Sequence, residues 1–285
     1  MSFLSDDALE HLRRVTEQPD LSGTRYRIEH EIGRGGMGVV YRAWDSVLER
    51  AVALKVIDAA SVGEPRILAR LEHPGLVPVY DAGSLPDGRS YYAMRLVEGR
   101  RLDEYLGAND SLPARLRVFL RICEAVAFAH ESGVIHRDLK PHNIMVGRFG
   151  EVFVMDWGIA HRLDDAGHAA PAGTPPYAAP EPSPDQRSDV YSLGRMLEDI
   201  ARGNARRPLT AIIRRATAAD PSDRYGTVPQ LAEDVTRFLD GLPVSAHRES
   251  LWERSARFAR NNQVLLLLLA AFLVVKFALF FLARR

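Results

Sequence analysis

The chain has 285 residues, of which 46% are hydrophobic and 26% are charged. A chain of this length and composition can bury the core of a two-lobed enzyme. Its 37 basic and 37 acidic residues balance, which gives no bulk attraction to nucleic acid, so we expect no nucleic-acid partner. The one cysteine, Cys123, excludes a disulfide scaffold within the chain and fits a reducing compartment.

Residues 1–24 are predicted to form a helical extension followed by a linker. Ser5 is a suitable N-cap ahead of apolar residues at helical spacing, and the stretch 18–24 is largely polar. The segment has no pattern of a secretory signal.

A glycine-rich segment, Gly33-Arg34-Gly35-Gly36-Met37-Gly38, follows the linker. Taken alone, such a motif is often only a turn. Here it lies between 26–29 and 39–42, whose alternation and β-branched residues predict strands. This order predicts a hairpin rather than a strand entering a helix, which disfavours a dinucleotide-binding fold and favours a flap over nucleotide phosphates. Glycines allow backbone amides to approach phosphates closely.

Lys55 ends the apolar run Val52-Ala53-Leu54-Lys55, which predicts the next strand. A lone lysine in such a strand is usually a residue that protects a sheet edge. Its place in an ordered series of four motifs disfavours that interpretation here.

The most informative segment is His136-Arg137-Asp138-Leu139-Lys140-Pro141-His142-Asn143. A carboxylate, an ammonium and an amide within six residues can align a hydroxyl, neutralise a phosphoryl group and hold a metal. Asp156-Trp157-Gly158 follows thirteen residues after Asn143 and supplies a second carboxylate.

These four motifs, in this order, resemble those of eukaryotic-type bacterial serine/threonine protein kinases over about 25–243. The resemblance implies an α+β, two-lobed protein-kinase fold. It implies a small antiparallel-sheet lobe with one helix at 25–96 and a mainly helical lobe at 97–243.

The resemblance also implies ATP and Mg²⁺ as cofactors and a protein with a Ser or Thr acceptor as substrate. Asp138 is expected to accept the hydrogen bond of the substrate hydroxyl as the base, and Lys140 to steady the γ-phosphate. Asn143 and Asp156 are expected to hold magnesium, whose preferred ligands are oxygens. The residues expected to bind ATP are Ile32, Gly33, Arg34, Gly35, Gly36, Met37, Gly38, Val40, Ala53, Lys55, Glu64, Met94, Arg95, Val97 and Met145.

Further resemblances extend into the second lobe. Glu181 in Ala-Pro-Glu is expected to pair with Arg224, and Asp189 to brace the catalytic loop. Lys140 together with Thr174 favours Ser or Thr over Tyr as acceptor. The internal spine of the family is expected at His136, Trp157, Leu68 and Val79, where ordinary core packing is an equally valid interpretation.

Two features depart from the family pattern. Only eight residues separate Lys55 from Glu64, and Pro65 is tolerated only in a first helical turn, so the small-lobe helix is expected to begin near Gly63. Residues 159–173 contain no Ser, Thr or Tyr. We therefore expect activity without phosphorylation of this loop, with Asp164 or Asp165 as a fixed negative charge.

The C-terminal part is predicted to comprise a basic juxtamembrane segment at 244–263, a transmembrane helix at 264–282 and a short tail at 283–285. The 19 residues of the helix include 15 Leu, Val or Phe and three Ala, and they would span roughly 28 Å. Lys276 costs about 2.5–3.5 kcal/mol at mid-membrane, which the apolar residues outweigh at about 0.3–0.6 kcal/mol each. Lys276 can snorkel outward or mark a helix–helix contact.

Four arginines precede this helix and only two follow it, which by the positive-inside rule predicts a kinase domain in the cytoplasm and a single-pass protein of the inner membrane. Homodimerisation through the helix is a candidate interaction. The sequence leaves two alternative functions: a membrane-tethered pseudokinase or nucleotide-binding scaffold, and a small-molecule phosphotransferase. The presence of Lys55, Asp138, Asn143 and Asp156 disfavours the first, and the Ala179-Pro180-Glu181 region disfavours the second.

Overall fold

The computed structural model describes residues 19–35, 38–57, 67–68, 70–108, 111–157, 160–162, 174–203, 206–249, 252, 254–255 and 262–282. The predicted N-terminal helix and the predicted start of the small-lobe helix at Gly63 and Glu64 lie outside these residues. So do Gly36, Met37, Asp164 and Asp165.

The small lobe is built on one antiparallel sheet of five strands in the order β1-β2-β3-β5-β4. The strands are β1 (Tyr26–Gly35), β2 (Gly38–Asp45), β3 (Arg50–Ile57), β4 (Val79–Ser84) and β5 (Ser90–Arg95). Burial alternates along β2, as expected for a strand with one face on a core, whereas β3 is buried over most of its length. The predicted glycine-rich hairpin is thus confirmed as the β1–β2 pair.

Gly38 begins β2 in a conformation that other residues rarely adopt, with φ of +134°. A Cβ at this position would lie 2.2 Å from the carbonyl oxygen of Val56 in β3. Both the backbone conformation and this close approach require glycine.

The second lobe begins with β6 (Gly99–Arg101), which pairs with β8 (Ile144–Gly147), and β8 pairs with β9 (Val152–Val154). A Cβ on Gly99 would lie 2.2 Å from the carbonyl oxygen of Val146. Gly99 therefore permits β6 and β8 to pack closely. Its φ is not positive, so it is not a turn glycine. The two-residue strands β7 (Val134–Ile135) and β10 (His161–Arg162) pair with each other.

Five helices complete this lobe within the described residues: α1 (Leu102–Ala108), α2 (Leu112–Glu131), α3 (Gln186–Ala201), α4 (Arg207–Ala216) and α5 (Val228–Leu239). Pro113 lies in the first turn of α2, where its missing N–H costs nothing. A reciprocal capping box of Asp185 and Ser188 fixes the start of α3. The lobe is mainly helical, as predicted.

Cys123 lies on the buried face of α2. Burial raises the pKa of its thiol well above the ordinary value, because the charged thiolate would lose its hydration. Cys123 is thus a small residue of the core.

The segment 264–282 forms a helix, α6 (Gln263–Leu282). Within the described part of the chain, which leaves out the side chains at 265, 277, 278 and 280–282, no helix is found that is long and apolar enough to cross a membrane. The predicted transmembrane span is therefore not supported by the structure.

Candidate active site

Lys55 and Asp156 form an ion pair across 101 residues of sequence, with Lys55 Nζ 2.9 Å from Asp156 Oδ1. Strand β3 holds the Lys55 side chain, which is only 7% exposed. Asp156 follows β9 and has a φ of +58°, a strained conformation for a non-glycine residue. The carboxylate lies against the ammonium in this conformation.

The charge of Lys55 sets the ionisation of Asp156. Burial alone would raise the pKa of the Asp156 carboxyl, but the nearby Lys55 ammonium outweighs burial and lowers the pKa below its ordinary value. Asp156 is thus ionised at neutral pH and able to bind a cation.

Asp138, Lys140 and Thr174 form a closed triangle of hydrogen bonds. Lys140 Nζ donates to Asp138 Oδ2 and to Thr174 Oγ1, both at 2.7 Å, and Thr174 Oγ1 donates to Asp138 Oδ1 at 2.8 Å. The Asn143 amide nitrogen also donates to the Asp138 carbonyl oxygen at 2.8 Å and to Oδ2 at 3.2 Å. The carboxylate is therefore fixed in position, with a hydroxyl already bound to it.

Asp189 supports this loop from below, as predicted. Its side chain is fully buried and accepts hydrogen bonds from the backbone N–H groups of His136 at 2.8 Å and Arg137 at 2.9 Å. These bonds hold Arg137 in a left-handed conformation with φ of +71° immediately before Asp138.

His130 was not predicted to take part. Its Nε2 lies 2.8 Å from Asp189 Oδ2. Burial alone would raise the pKa of Asp189, whereas the hydrogen bond from His130 and those from the backbone lower it. A histidine in the last turn of a helix whose buried residues are mostly apolar was the only sequence signal for this contact.

The predicted pair of Glu181 and Arg224 is confirmed. It is bidentate, with Arg224 Nη1 and Nη2 at 2.8 Å and 2.7 Å from the two carboxylate oxygens. Ser188 Oγ donates to the same carboxylate at 2.6 Å. The Arg224 side chain is fully buried, so this pair anchors the segment after Thr174 to the helical lobe.

The predicted metal ligands, Asn143 and Asp156, are brought together by a backbone hydrogen bond of 2.7 Å from Met155 N–H to the Asn143 carbonyl. The Asn143 amide nitrogen donates to Asp138, so its amide oxygen is the atom that could bind a metal. Among the described residues, no group of three or more His, Cys, Asp and Glu could hold a metal. One carboxylate and one amide oxygen suit Mg²⁺, which completes its shell with phosphates and water.

The expected adenine-binding residues belong to one continuous core: Ala53 and Met94 are buried in it, and Val40, Val97 and Met145 are half-buried against it. The structure modifies the expectation for Arg95. Its backbone N–H donates to the Pro78 carbonyl at 3.1 Å. This N–H is therefore engaged within the protein and is not available to a base.

The flap residues before the turn are exposed at the end of the hairpin. Gly33, Arg34 and Gly35 pair with Val40, Val39 and Gly38 across it. Arg34 is engaged by Glu31 through a 2.6 Å contact on the surface, so its side chain points to a neighbour on its own strand. Ile32 is 43% exposed.

Comparisons with known proteins agree with this geometry. Residues 26–242 match the family model described as the protein kinase domain. A probable serine/threonine-protein kinase of Streptomyces coelicolor is 34% identical over 81% of this chain and 42% of its own length. PknB of Mycobacterium tuberculosis is 34% identical over 80% of this chain and 45% of its own. PknD of Protochlamydia amoebophila is 31% identical over 76% of this chain and 30% of its own length.

The chain thus spans less than half the length of these relatives. Among solved structures, the apo form of PpkA-294 aligns with a TM-score of 0.64 and 23% identity, over 78% of this chain and 99% of that one. At this identity the likeness shows the fold alone. With the family model covering most of the chain, the conclusion is direct: the chain belongs to the protein kinase family.

Proposed function

We propose that the chain is a protein serine/threonine kinase that transfers the γ-phosphoryl group of ATP to Ser or Thr side chains of proteins. The observation that carries this proposal is the triangle of Asp138, Lys140 and Thr174. It places a fixed carboxylate and an ammonium around a bound hydroxyl, which is the arrangement that phosphoryl transfer to an alcohol requires. The names of the relatives, all serine/threonine-protein kinases, support it.

Each residue then has a defined task. Asp138 orients the acceptor hydroxyl and takes its proton, as Thr174 Oγ1 donates to the same carboxylate in this structure. Lys140 lies within reach of both the carboxylate and the hydroxyl, where it neutralises charge developing on the transferred group. Lys55 binds the nucleotide phosphates, and Asn143 with Asp156 would hold magnesium. Magnesium, when bound, neutralises the phosphate oxygens.

The composition of the loop before Thr174 sets the proposed regulation apart from the common pattern, in which this loop is phosphorylated. Residues 159–173 offer no hydroxyl to phosphorylate. The active arrangement is instead held by permanent groups: the buried Asp189 fixes the backbone on the Asp138 side, and the Glu181–Arg224 pair fixes the segment after Thr174. We propose that the enzyme is active without phosphorylation of this loop.

We further propose that residues 264–282 attach the kinase to the inner membrane, with the kinase domain in the cytoplasm. This part rests on the composition of the segment and on the arginines that precede it. Self-association through the same helix remains a proposal on the same basis.

The test uses the full chain in detergent, radiolabelled ATP, Mg²⁺ and a generic basic protein substrate, followed by phosphoamino-acid analysis. The proposal predicts phosphoserine and phosphothreonine and no phosphotyrosine, and no product with Asp138→Asn. The scaffold alternative predicts nucleotide binding without any phosphorylated product, and transfer to small alcohols alone would identify a small-molecule phosphotransferase.

A further inference from the structure

A groove of about 780 Å³ lies in the helical lobe outside the residues assigned to catalysis, metal binding or ATP binding. Helix α2 forms one wall, and β6 with the end of β8 and the turn after it forms the other. Its volume lies within the range of ligand-binding pockets in proteins.

The lining of this groove is basic. It includes four arginines, Arg100, Arg117, Arg121 and Arg148, and none of its lining residues is acidic. The chain as a whole has equal numbers of acidic and basic residues, so the cluster does not follow from a basic composition. Such a one-signed concave surface attracts anionic ligands.

Among the described residues, Glu98 is the one carboxylate that pairs with any of these four arginines. Arg117 and Arg121 lie one turn apart on the exposed face of α2, an arrangement of like charges that destabilises a helix. Arg121 donates to the Gly150 carbonyl at 3.1 Å. Arg148 approaches Glu98 at 3.6 Å, with both side chains mostly exposed, a contact worth little in water.

The groove also offers apolar contacts. Half-buried Tyr105 and buried Val118 lie between the arginines, and Phe149, at the tip of the turn beside the groove, is 92% exposed. Aromatic residues and arginines are the residues that most often contribute strongly to binding at protein interfaces. A large exposed aromatic side chain next to a basic groove fits a peptide better than a free anion.

We infer that this basic groove, formed by Arg100, Arg117, Arg121 and Arg148, is a docking site for an acidic segment of the protein substrate that carries an apolar side chain. This inference rests on the proposed kinase function and deepens it by naming a substrate class. Arginine forks bind carboxylates in a bidentate manner, which suits Asp and Glu side chains. The lining follows a concave groove between α2 and the β6–β8 strands rather than a flat surface, which favours a peptide over a membrane.

Binding is tested without ATP, by fluorescence anisotropy of a labelled synthetic peptide of Glu and Asp residues around one Leu and one Phe. The comparison peptide has Gln and Asn in place of the acids. We expect the acidic peptide to bind, the neutral one to bind at least about tenfold more weakly, and binding to weaken as salt is raised. Equal binding of the two peptides, or no binding of the acidic one, would overturn the inference.

The variant Arg117→Glu/Arg121→Glu changes two exposed side chains on one helix face and should weaken binding of the acidic peptide by roughly tenfold or more, since it replaces attraction by repulsion. The matched control, Arg206→Glu/Arg214→Glu, changes two exposed arginines at and within α4 and should leave binding unchanged. Equal effects of the two variants would show a response to net charge alone and would contradict a docking site.

Kinetics separate this inference from the proposed function. Joining the acidic peptide to a serine-containing acceptor should lower KM with little change in kcat, and the Arg117→Glu/Arg121→Glu variant should lose this gain while phosphorylating the unjoined acceptor normally. Transfer without any gain from the acidic segment would sink the docking site and leave the kinase intact. Binding of the acidic peptide without any phosphoryl transfer would contradict the proposed kinase activity and leave the docking site standing. If the variant instead retains the peptide and loses only the extra binding to phosphatidylserine over phosphatidylcholine vesicles, the surface binds membrane and the inference is wrong.

Discussion

Lys140 and Thr174 are joined by a hydrogen bond of 2.7 Å across 34 residues of sequence, and both bind the carboxylate of Asp138. The end of the segment proposed to receive a substrate is thereby fastened to the loop of Asp138 by the same groups that are proposed to act on the acceptor. This relationship explains how the chain can hold an ordered site without a phosphorylated loop.

Thr174→Val should lower kcat by about tenfold or more, because it removes a hydroxyl that orients both Asp138 and Lys140, a loss on the scale of one or two hydrogen bonds. Thr174→Ser retains the hydroxyl and should retain most of the activity. Steady-state kinetics on a basic protein substrate measure both, with Thr210→Val, an exposed threonine on α4, as the control. Parent-like activity of the Val variant, or a loss confined to the Ser variant, would contradict a role for the hydroxyl.

Lys55→Met and Asp156→Asn should each reduce transfer by about a hundredfold or more while leaving the fold intact, since both side chains act on nucleotide phosphates and magnesium. Circular dichroism checks the fold, and Lys276→Met is a matched control for the lysine substitution. Activity above a few per cent of the parent in either variant would contradict the assignment of these residues.

Arg224→Ala should destabilise the helical lobe by about 3–5 kcal/mol, because it leaves the largely buried Glu181 carboxylate without its bidentate partner. Arg202→Ala removes an exposed pair with Asp199 and should cost at most about 1 kcal/mol. Urea unfolding compares the two. Similar losses would mean that the buried pair contributes no more than a surface pair.

The buried Asp189 carboxylate makes the free energy of unfolding of the helical lobe depend on pH. Its folded-state pKa lies below the ordinary value of 3.8, so its stabilisation is fully present above about pH 4 and is lost as the pH falls through the folded value. Asp189→Asn should lower the free energy of unfolding at pH 7 by about 2–4 kcal/mol. The difference between parent and variant should then shrink in acid. Urea unfolding at a series of pH values measures this, with the exposed Asp220→Asn as control, and a difference constant down to the lowest pH would contradict it.

The absence of Ser, Thr and Tyr from 159–173 predicts a linear time course for phosphatase-treated enzyme, with no phosphate in this segment by mass spectrometry. Thr174 is outside the prediction, since it can accept phosphate. A lag that disappears after preincubation with ATP and magnesium would show that autophosphorylation elsewhere activates the enzyme.

The sequence predicted those parts of the site that are formed by recognisable motifs. The hairpin, the loop containing Asp138 and Lys140, and the Glu181–Arg224 pair were all found from motifs and the family resemblance. Contacts that depend on how helices pack were not. His130 reaches Asp189 only because α2 and α3 lie side by side in the fold, and its sequence neighbours give no indication of the partner.

The same limit applies to Asp234, which accepts hydrogen bonds from Tyr225 and from the backbone and hydroxyl of Ser245, and so fastens the chain after α5 to the lobe. The basic groove was missed because its arginines come from three separate segments. The contact of the Arg95 N–H with Pro78 was missed because backbone hydrogen bonds between neighbouring strands leave no mark on residue type.

Transfer from ATP labelled at either the γ- or the α-phosphate is the most direct test of the kinase activity. The full chain with magnesium and a basic protein substrate should incorporate label from γ-labelled ATP only, on Ser and Thr. Asp138→Asn should incorporate none above background while retaining nucleotide binding, because Lys55, Asn143 and Asp156 are unchanged. Incorporation by Asp138→Asn at the rate of the parent, or none by the parent itself, would contradict the account.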